Sequence, residues 1–110
     1  MNDCIFCKII AREIPAEVIF ENDLMIVIKD INPQAEVHFL VISKKHIPSL
    51  ADIQECDRNL LASMLLQIST IARDYCPMNE YHVETNIGSS WGQTVKHLHF
   101  HIVGGKRLHK

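Results

Sequence analysis

His97, His99 and His101 alternate with Leu98, Phe100 and Ile102 in one run that closes on Val103 and the Gly104-Gly105 pair. Strict alternation predicts a half-buried strand over Lys96 to Val103, with three imidazoles on one face and the apolar side chains entering a core. Rings at alternate positions of a strand lie about 6 to 7 Å apart. Imidazole is substantially neutral at pH 7 and still able to carry a proton, so such a row can bind, attack or transfer. Three chemistries are open. The rings can be hydrogen-bonded members of a strand. Two of them can share a catalytic zinc ion, since three alternate rings span too far for one metal. One can act as a nucleophile while its neighbours orient it and neutralise charge. Directly ahead, Gly92, Gln93 and Thr94 supply a flexible turn, an amide and a hydroxyl, groups suited to phosphate oxygens and equally at home in a hairpin loop.

Cys4 and Cys7 form a Cys-x-x-Cys pair, which by itself is a redox pair, half a metal site or coincidence. The run from Cys4 to Ile10 holds Lys8, follows Asp3 and is too short to span a membrane, and no basic segment precedes it to make a secretory signal. A cytoplasmic, reducing compartment is therefore expected, with thiols or metal ligands rather than disulfides. Cys56 and Cys76 agree with this, because a helix between them would hold them roughly 30 Å apart. The 110 residues, 47% hydrophobic and 22% charged, suffice for one domain over 1–110. A net charge of −2 offers no field for a nucleic-acid backbone, despite the short basic tail of Lys106, Arg107 and Lys110. Neither nucleic acid nor membrane is an expected partner.

These groups need elements to hold them. Ile5, Phe6, Ile9 and Ile10 recur at helical spacing before Pro15 and predict a short N-terminal helix. Glu17 to Glu21 and Leu24 to Lys29 flank Asn22-Asp23 and read as a hairpin. Asp30 to Gln34 is a loop, and Val37 to Ser43 is apolar almost throughout, as in a central strand covered on both faces. From Asp57 to Cys76, apolar residues at spacings of three and four predict one long helix that Pro77 stops. Tyr81 to Asn86 and the histidine run supply the last strands. The sum is an α+β fold, an antiparallel sheet of four or five strands with one long and one short helix.

The residues around the histidines resemble a known family. His97-Leu98-His99-Phe100-His101-Ile102-Val103 is similar to the histidine triad (HIT) motif, and Gly92-Gln93-Thr94-Val95 to the segment that leads into it. Ile5-Phe6-Cys7-Lys8-Ile9-Ile10, Glu13-Ile14-Pro15-Ala16, Asp30-Ile31-Asn32-Pro33-Gln34-Ala35, His38-Phe39-Leu40-Val41-Ile42, Lys44-Lys45-His46-Ile47 and Gly104-Gly105 resemble its HINT-like nucleoside phosphoramidase branch. That resemblance implies a HIT-like fold of about five strands and a hydrolase of AMP-like nucleoside 5′-phosphoramidates, working through a nucleotidyl-histidine with no catalytic metal. By the same resemblance His99 is the nucleophile, and His101, Gln93 and Thr94 hold phosphate oxygens, with His101 charged during the reaction. His38 lies beneath His99, fixing its tautomer and passing a proton. Asn86 closes the phosphate side and Asp30 accepts ribose hydroxyls. Ile5, Phe6, Ile9, Ile28, Ile31 and Leu40 line the pocket for a purine base, although plain core packing accounts for such residues equally well. In some bacterial relatives the paired cysteines bind structural zinc, which here implies Cys4, Cys7, His46 and His97, a closed Cys2His2 set. A homodimer is implied as well.

Lys96, Thr94 and Ile28 depart from the common pattern, and the short stretch after Gly104-Gly105 leaves the leaving-group side open. Two other functions compete. A dinucleoside-polyphosphate hydrolase is disfavoured by the Gly104-Gly105 ending, and a zinc-stabilised nucleotide-binding or scaffold module would bind AMP without turnover.

Overall fold

The computed structural model describes residues 3–108, so Lys110 of the basic tail lies outside the described residues. The elements run α1 (Ile5–Ile10), β1 (Val18–Glu21), β2 (Met25–Lys29), β3 (Ala35–Ser43), α2 (Arg58–Tyr75), β4 (Tyr81–Glu84) and β5 (His99–Arg107). The strands form one antiparallel sheet in the order β1-β2-β3-β5-β4. Asn22 makes the first turn, its carboxamide oxygen accepting from the backbone N–H groups of Leu24 and Met25 at 2.9 and 3.0 Å.

Alternation along β2, β3 and β5 divides the core into two layers. Val27, Phe39, Val41, Phe100 and Ile102 face α2, meeting Leu60, Met64, Ile68 and Ile71. Ile26, Ile28, Leu40 and Ile42 face the other way, where Phe6 and Ile9 of α1 cover them. β3 is buried on both faces except at Glu36, as its composition predicts. On β5 the same alternation puts His99 and His101 on the α1 side, together with His38 of β3.

The histidine strand differs from the reading of its sequence at both ends. It begins at His99 rather than Lys96, because Leu98 N–H turns to the Ile47 carbonyl (2.6 Å) and His97 N–H to that of Val95 (2.9 Å). It also runs through the glycines to Arg107 instead of ending there. Three steps of β5, Gly104 to Arg107, oppose two of β3, Val37 to Ala35, so the glycine pair hosts a bulge, with Gly105 at φ 75°. β4 stops at Glu84, two residues short of the expected end, where side chains take over from the ladder: the Thr85 hydroxyl donates to the His99 carbonyl (2.7 Å) and the Asn86 amide to that of Trp91 (3.0 Å). Cys56 and Cys76 stand at opposite ends of α2. Among the described residues no helix is long and apolar enough to cross a membrane.

Candidate active site and metal centre

His99 is the pivot of the site. Its Nδ1 lies 2.6 Å from the His97 carbonyl, and a carbonyl only accepts, so Nδ1 carries the hydrogen and the neutral ring keeps its lone pair on Nε2. Phe6 meets the ring edge-on, with centroids 4.9 Å apart. Burial pushes the His99 pKa below the ordinary histidine value, and the bond to the His97 carbonyl and the charge of Asp30 oppose that shift without reversing it. The ring is thus neutral at pH 7, oriented, and one of the walls of an open cavity of about 960 Å³.

Beside His99, on the same face of the sheet, lies a chain of three groups with defined donors. Gln34 N–H donates to His38 Nδ1 at 3.0 Å, so the neutral His38 ring holds its one hydrogen on Nε2. That Nε2 faces His101 Nδ1 at 3.0 Å and Asp30 Oδ2 at 3.3 Å. When His101 Nδ1 accepts, its own hydrogen sits on Nε2. Burial, with His99 and His38 beside it, holds the His101 pKa down. His38 therefore stands against His101 and not beneath His99, whose tautomer is set by the His97 backbone. Asp30, His38 and His101 are close enough to suggest a metal cluster, yet the protonated Nε2 of His38 has no lone pair to give one. Hydrogen bonding is the chemistry this trio fits.

Of the other expected phosphate ligands, Thr94 and Asn86 line the cavity with Gly92 and Glu84. Gln93 does not. Its amide nitrogen donates to the Pro48 and Val95 carbonyls at 2.7 and 3.0 Å and its oxygen accepts from Gly88 N–H at 2.9 Å, so the buried side chain holds the loop in shape. None of the six apolar residues expected at a base pocket is among the cavity-lining residues. Phe6, Ile9, Ile28 and Leu40 are buried in the α1 layer, whereas Ile31 is 91% and Ile5 44% exposed. Two contributors escaped the sequence reading, the Gln34 backbone amide and Thr85. The first acts through its main chain and leaves no side-chain signal; the second could have been suspected as a hydroxyl just past a strand.

Cys4, Cys7, His46 and His97 converge, their donor atoms all within 4.8 Å of one another. Cys4 Sγ is 3.1 Å and His46 Nδ1 3.0 Å from His97 Nδ1, and Cys7 Sγ is 3.2 Å from His46 Nδ1. Tetrahedral zinc with bonds of about 2.0–2.3 Å sets its donor atoms about 3.3–3.8 Å apart, so these three separations need to open by only a few tenths of an ångström around an ion. The proton assignment fits as well. His97 Nε2–H donates to the Ser43 carbonyl at 2.6 Å, which leaves Nδ1 with the lone pair, aimed into the cluster. Burial keeps His97 neutral, the form a metal requires. This cluster could hold a metal, and it joins α1, the 44–47 loop and the approach to β5.

Residues 3–109 match the family described as scavenger mRNA decapping enzyme C-terminal binding. An uncharacterized HIT-like protein of Synechocystis is 46% identical over 105 residues, covering 96% of this chain and 92% of its own. A HIT family hydrolase from Clostridium thermocellum superposes with a TM-score of 0.91 at 40% identity, over 100% of this chain and 96% of its own. A histidine triad protein from Clostridium difficile gives 0.90 at the same identity and coverage. With the motif on β5, the fold around it and these relatives in agreement, the chain belongs to the HIT family.

Proposed function

We propose that this protein is a nucleotidyl hydrolase that cleaves the P–N bond of AMP-like nucleoside 5′-phosphoramidates, with His99 as the nucleophile. The observation that carries the reading is the His99 Nδ1 bond to the His97 carbonyl, which presents a neutral Nε2 lone pair at the wall of a cavity shared with His101 and Asp30. The arriving phosphoryl anion favours protonation of His101, whose ring otherwise stays neutral. His99 Nε2 attacks phosphorus and forms an N–P bond as the bond to the departing nitrogen breaks, and that nitrogen takes a proton from His101 Nε2. A water then attacks phosphorus, returns a proton to His101, and frees the nucleoside monophosphate and His99. Thr94 and Asn86 supply donors to the phosphate oxygens, and Asp30 accepts sugar hydroxyls. Exposed Ile31 and Ile5 offer a purine base its apolar surface, while Phe6, Ile9, Ile28 and Leu40 pack together in the α1 layer.

Zinc is the metal proposed for Cys4, Cys7, His46 and His97, in a structural role, since four protein ligands complete a tetrahedron and leave no position for substrate. A homodimer is the proposed assembly.

Enzyme quenched during turnover of adenosine phosphoramidate should carry one nucleotide adduct, and fragmentation should place it on His99. Turnover without any such adduct, or a His99→Ala variant as fast as the parent, would remove the reading.

A further inference from the structure

The hydrogen count at His38 has a consequence for Asp30. Its Nδ1 is occupied by the Gln34 backbone N–H, so one ring hydrogen, on Nε2, must serve two acceptors, His101 Nδ1 at 3.0 Å and Asp30 Oδ2 at 3.3 Å. The choice depends on His101. While His101 is neutral, its Nδ1 accepts and the hydrogen points there. Once His101 is an imidazolium both its nitrogens carry hydrogens, and at 3.0 Å two N–H groups would then face each other. The His38 ring must then tilt so that its Nε2–H leaves His101 for the carboxylate oxygen, the acceptor within reach. Asp30 is held for this by its other oxygen, Oδ1, which accepts from Asn32 N–H at 2.8 Å.

We propose that Asp30 is a positioning residue for proton transfer at His101, acting through His38: it receives the single ring hydrogen of His38 whenever His101 takes up a proton. This rests on the reading of His101 as the proton donor and adds a second duty to a residue otherwise assigned to sugar hydroxyls. The groups that face His101 are His99 on β5, His38 on β3, Asp30 after β2 and Glu84 on β4. Glu84 also attracts a proton to His101, but it is engaged by His82 at 3.1 Å and lies on a different strand from His38. It cannot accept the His38 hydrogen in place of Asp30.

The test is a histidine NMR titration of the free protein, which needs no turnover. Asp30→Asn keeps the Oδ1 acceptor of the turn and removes the charge, so the fold should persist. It should lower the pH at which His101 titrates by about one unit, and in a His38→Ala background the same substitution should shift it by less than half as much. Equal shifts in both backgrounds would mean that Asp30 acts as a bare charge through space, and would overturn the proposal, as would no shift at all. In the parent protein, His38 should keep its hydrogen on Nε2 on both sides of the His101 titration, with the resonance moving as the acceptor changes. A hydrogen appearing on Nδ1 would be fatal to the argument.

Kinetics separate this duty from sugar binding. On phosphoramidates lacking both ribose hydroxyls, Asp30→Asn should still lower kcat about tenfold and move the alkaline side of the pH profile, where a proton donor titrates, to lower pH. A defect confined to KM, and only with intact ribose, would assign Asp30 to the sugar alone. If no phosphoramidate is hydrolysed, the functional reading fails while the titration result still decides the hydrogen-bond switch.

Discussion

At the scale of single residues, the types in this sequence were easier to read than the direction in which each would bond. His99 and His101 could be placed on one face from alternation, and the structure keeps them there with ring centroids 5.2 Å apart. Gln93 shows the limit. An amide beside Gly92 and Thr94 suits a phosphate, but the loop's own carbonyls reach it first, and the three bonds it makes come from Pro48, Gly88 and Val95, of which Pro48 is 45 positions away in sequence. No local pattern encodes that distant partner. Gln93→Ala should therefore act on the fold before it acts on chemistry: two carbonyls and one amide lose a partner, at about 2–4 kcal/mol. A urea midpoint lowered to match, with weaker nucleotide binding as the loop loosens, is the expected outcome. Full stability with a purely kinetic defect would instead return Gln93 to the phosphate.

At the scale of elements, helices and strands followed periodicity closely, and the errors fall where a side chain or a distant backbone replaces the ladder. Gly104-Gly105 reads as the end of β5, because glycine usually punctuates a strand, whereas in the fold the pair lets the strand cross a bulge and pass close to the turn after α2. Gly104 shows why a side chain is excluded: a Cβ would stand 2.7 Å from Cys76 Sγ and 3.2 Å from the Glu80 carbonyl. Gly104→Ala should cost about 1–3 kcal/mol, and Cys76→Ala in the same chain should recover part of it. Denaturation of both single variants and the double one measures that coupling, and strict additivity would mean the clash is relieved elsewhere. α1 poses a different question, since a helix of six residues does not persist alone. Phe6 and Ile9 anchor one side, and the cluster of Cys4, Cys7, His46 and His97 anchors its start. Removing a bound metal with a chelator should lower Tm and speed amide exchange from Ile5 to Ala11 more than in β3. Unchanged exchange in protein verified to be metal-free would show that packing alone holds the helix.

For the whole molecule, burial of the histidine row ties stability to pH. His99 and His101 have pKa values below the ordinary histidine value of about 6.5, so the folded chain binds fewer protons than the unfolded one in that window, and stability rises with pH across it. The contribution is complete above about 6.5 and is lost as pH falls through the depressed values, so the urea midpoint should drop between pH 7.5 and 5.5. Assembly is the second property of this scale. β4 is a sheet edge whose four residues are all exposed. Val83 pairs with Ile102 and Tyr81 with Gly104, so both lie on the α2 side of the sheet. On α2 itself Leu66 is 71% and Leu65 48% exposed. An unpaired edge and exposed apolar side chains beside it invite a second copy of the same surface, the arrangement a two-fold axis satisfies. Sedimentation should give twice the 12.6 kDa chain mass. Leu66→Glu or Val83→Lys should halve it, leaving the His99 and His101 resonances of the folded protein in place. A parent chain that sediments at 12.6 kDa at tens of micromolar would refute the dimer.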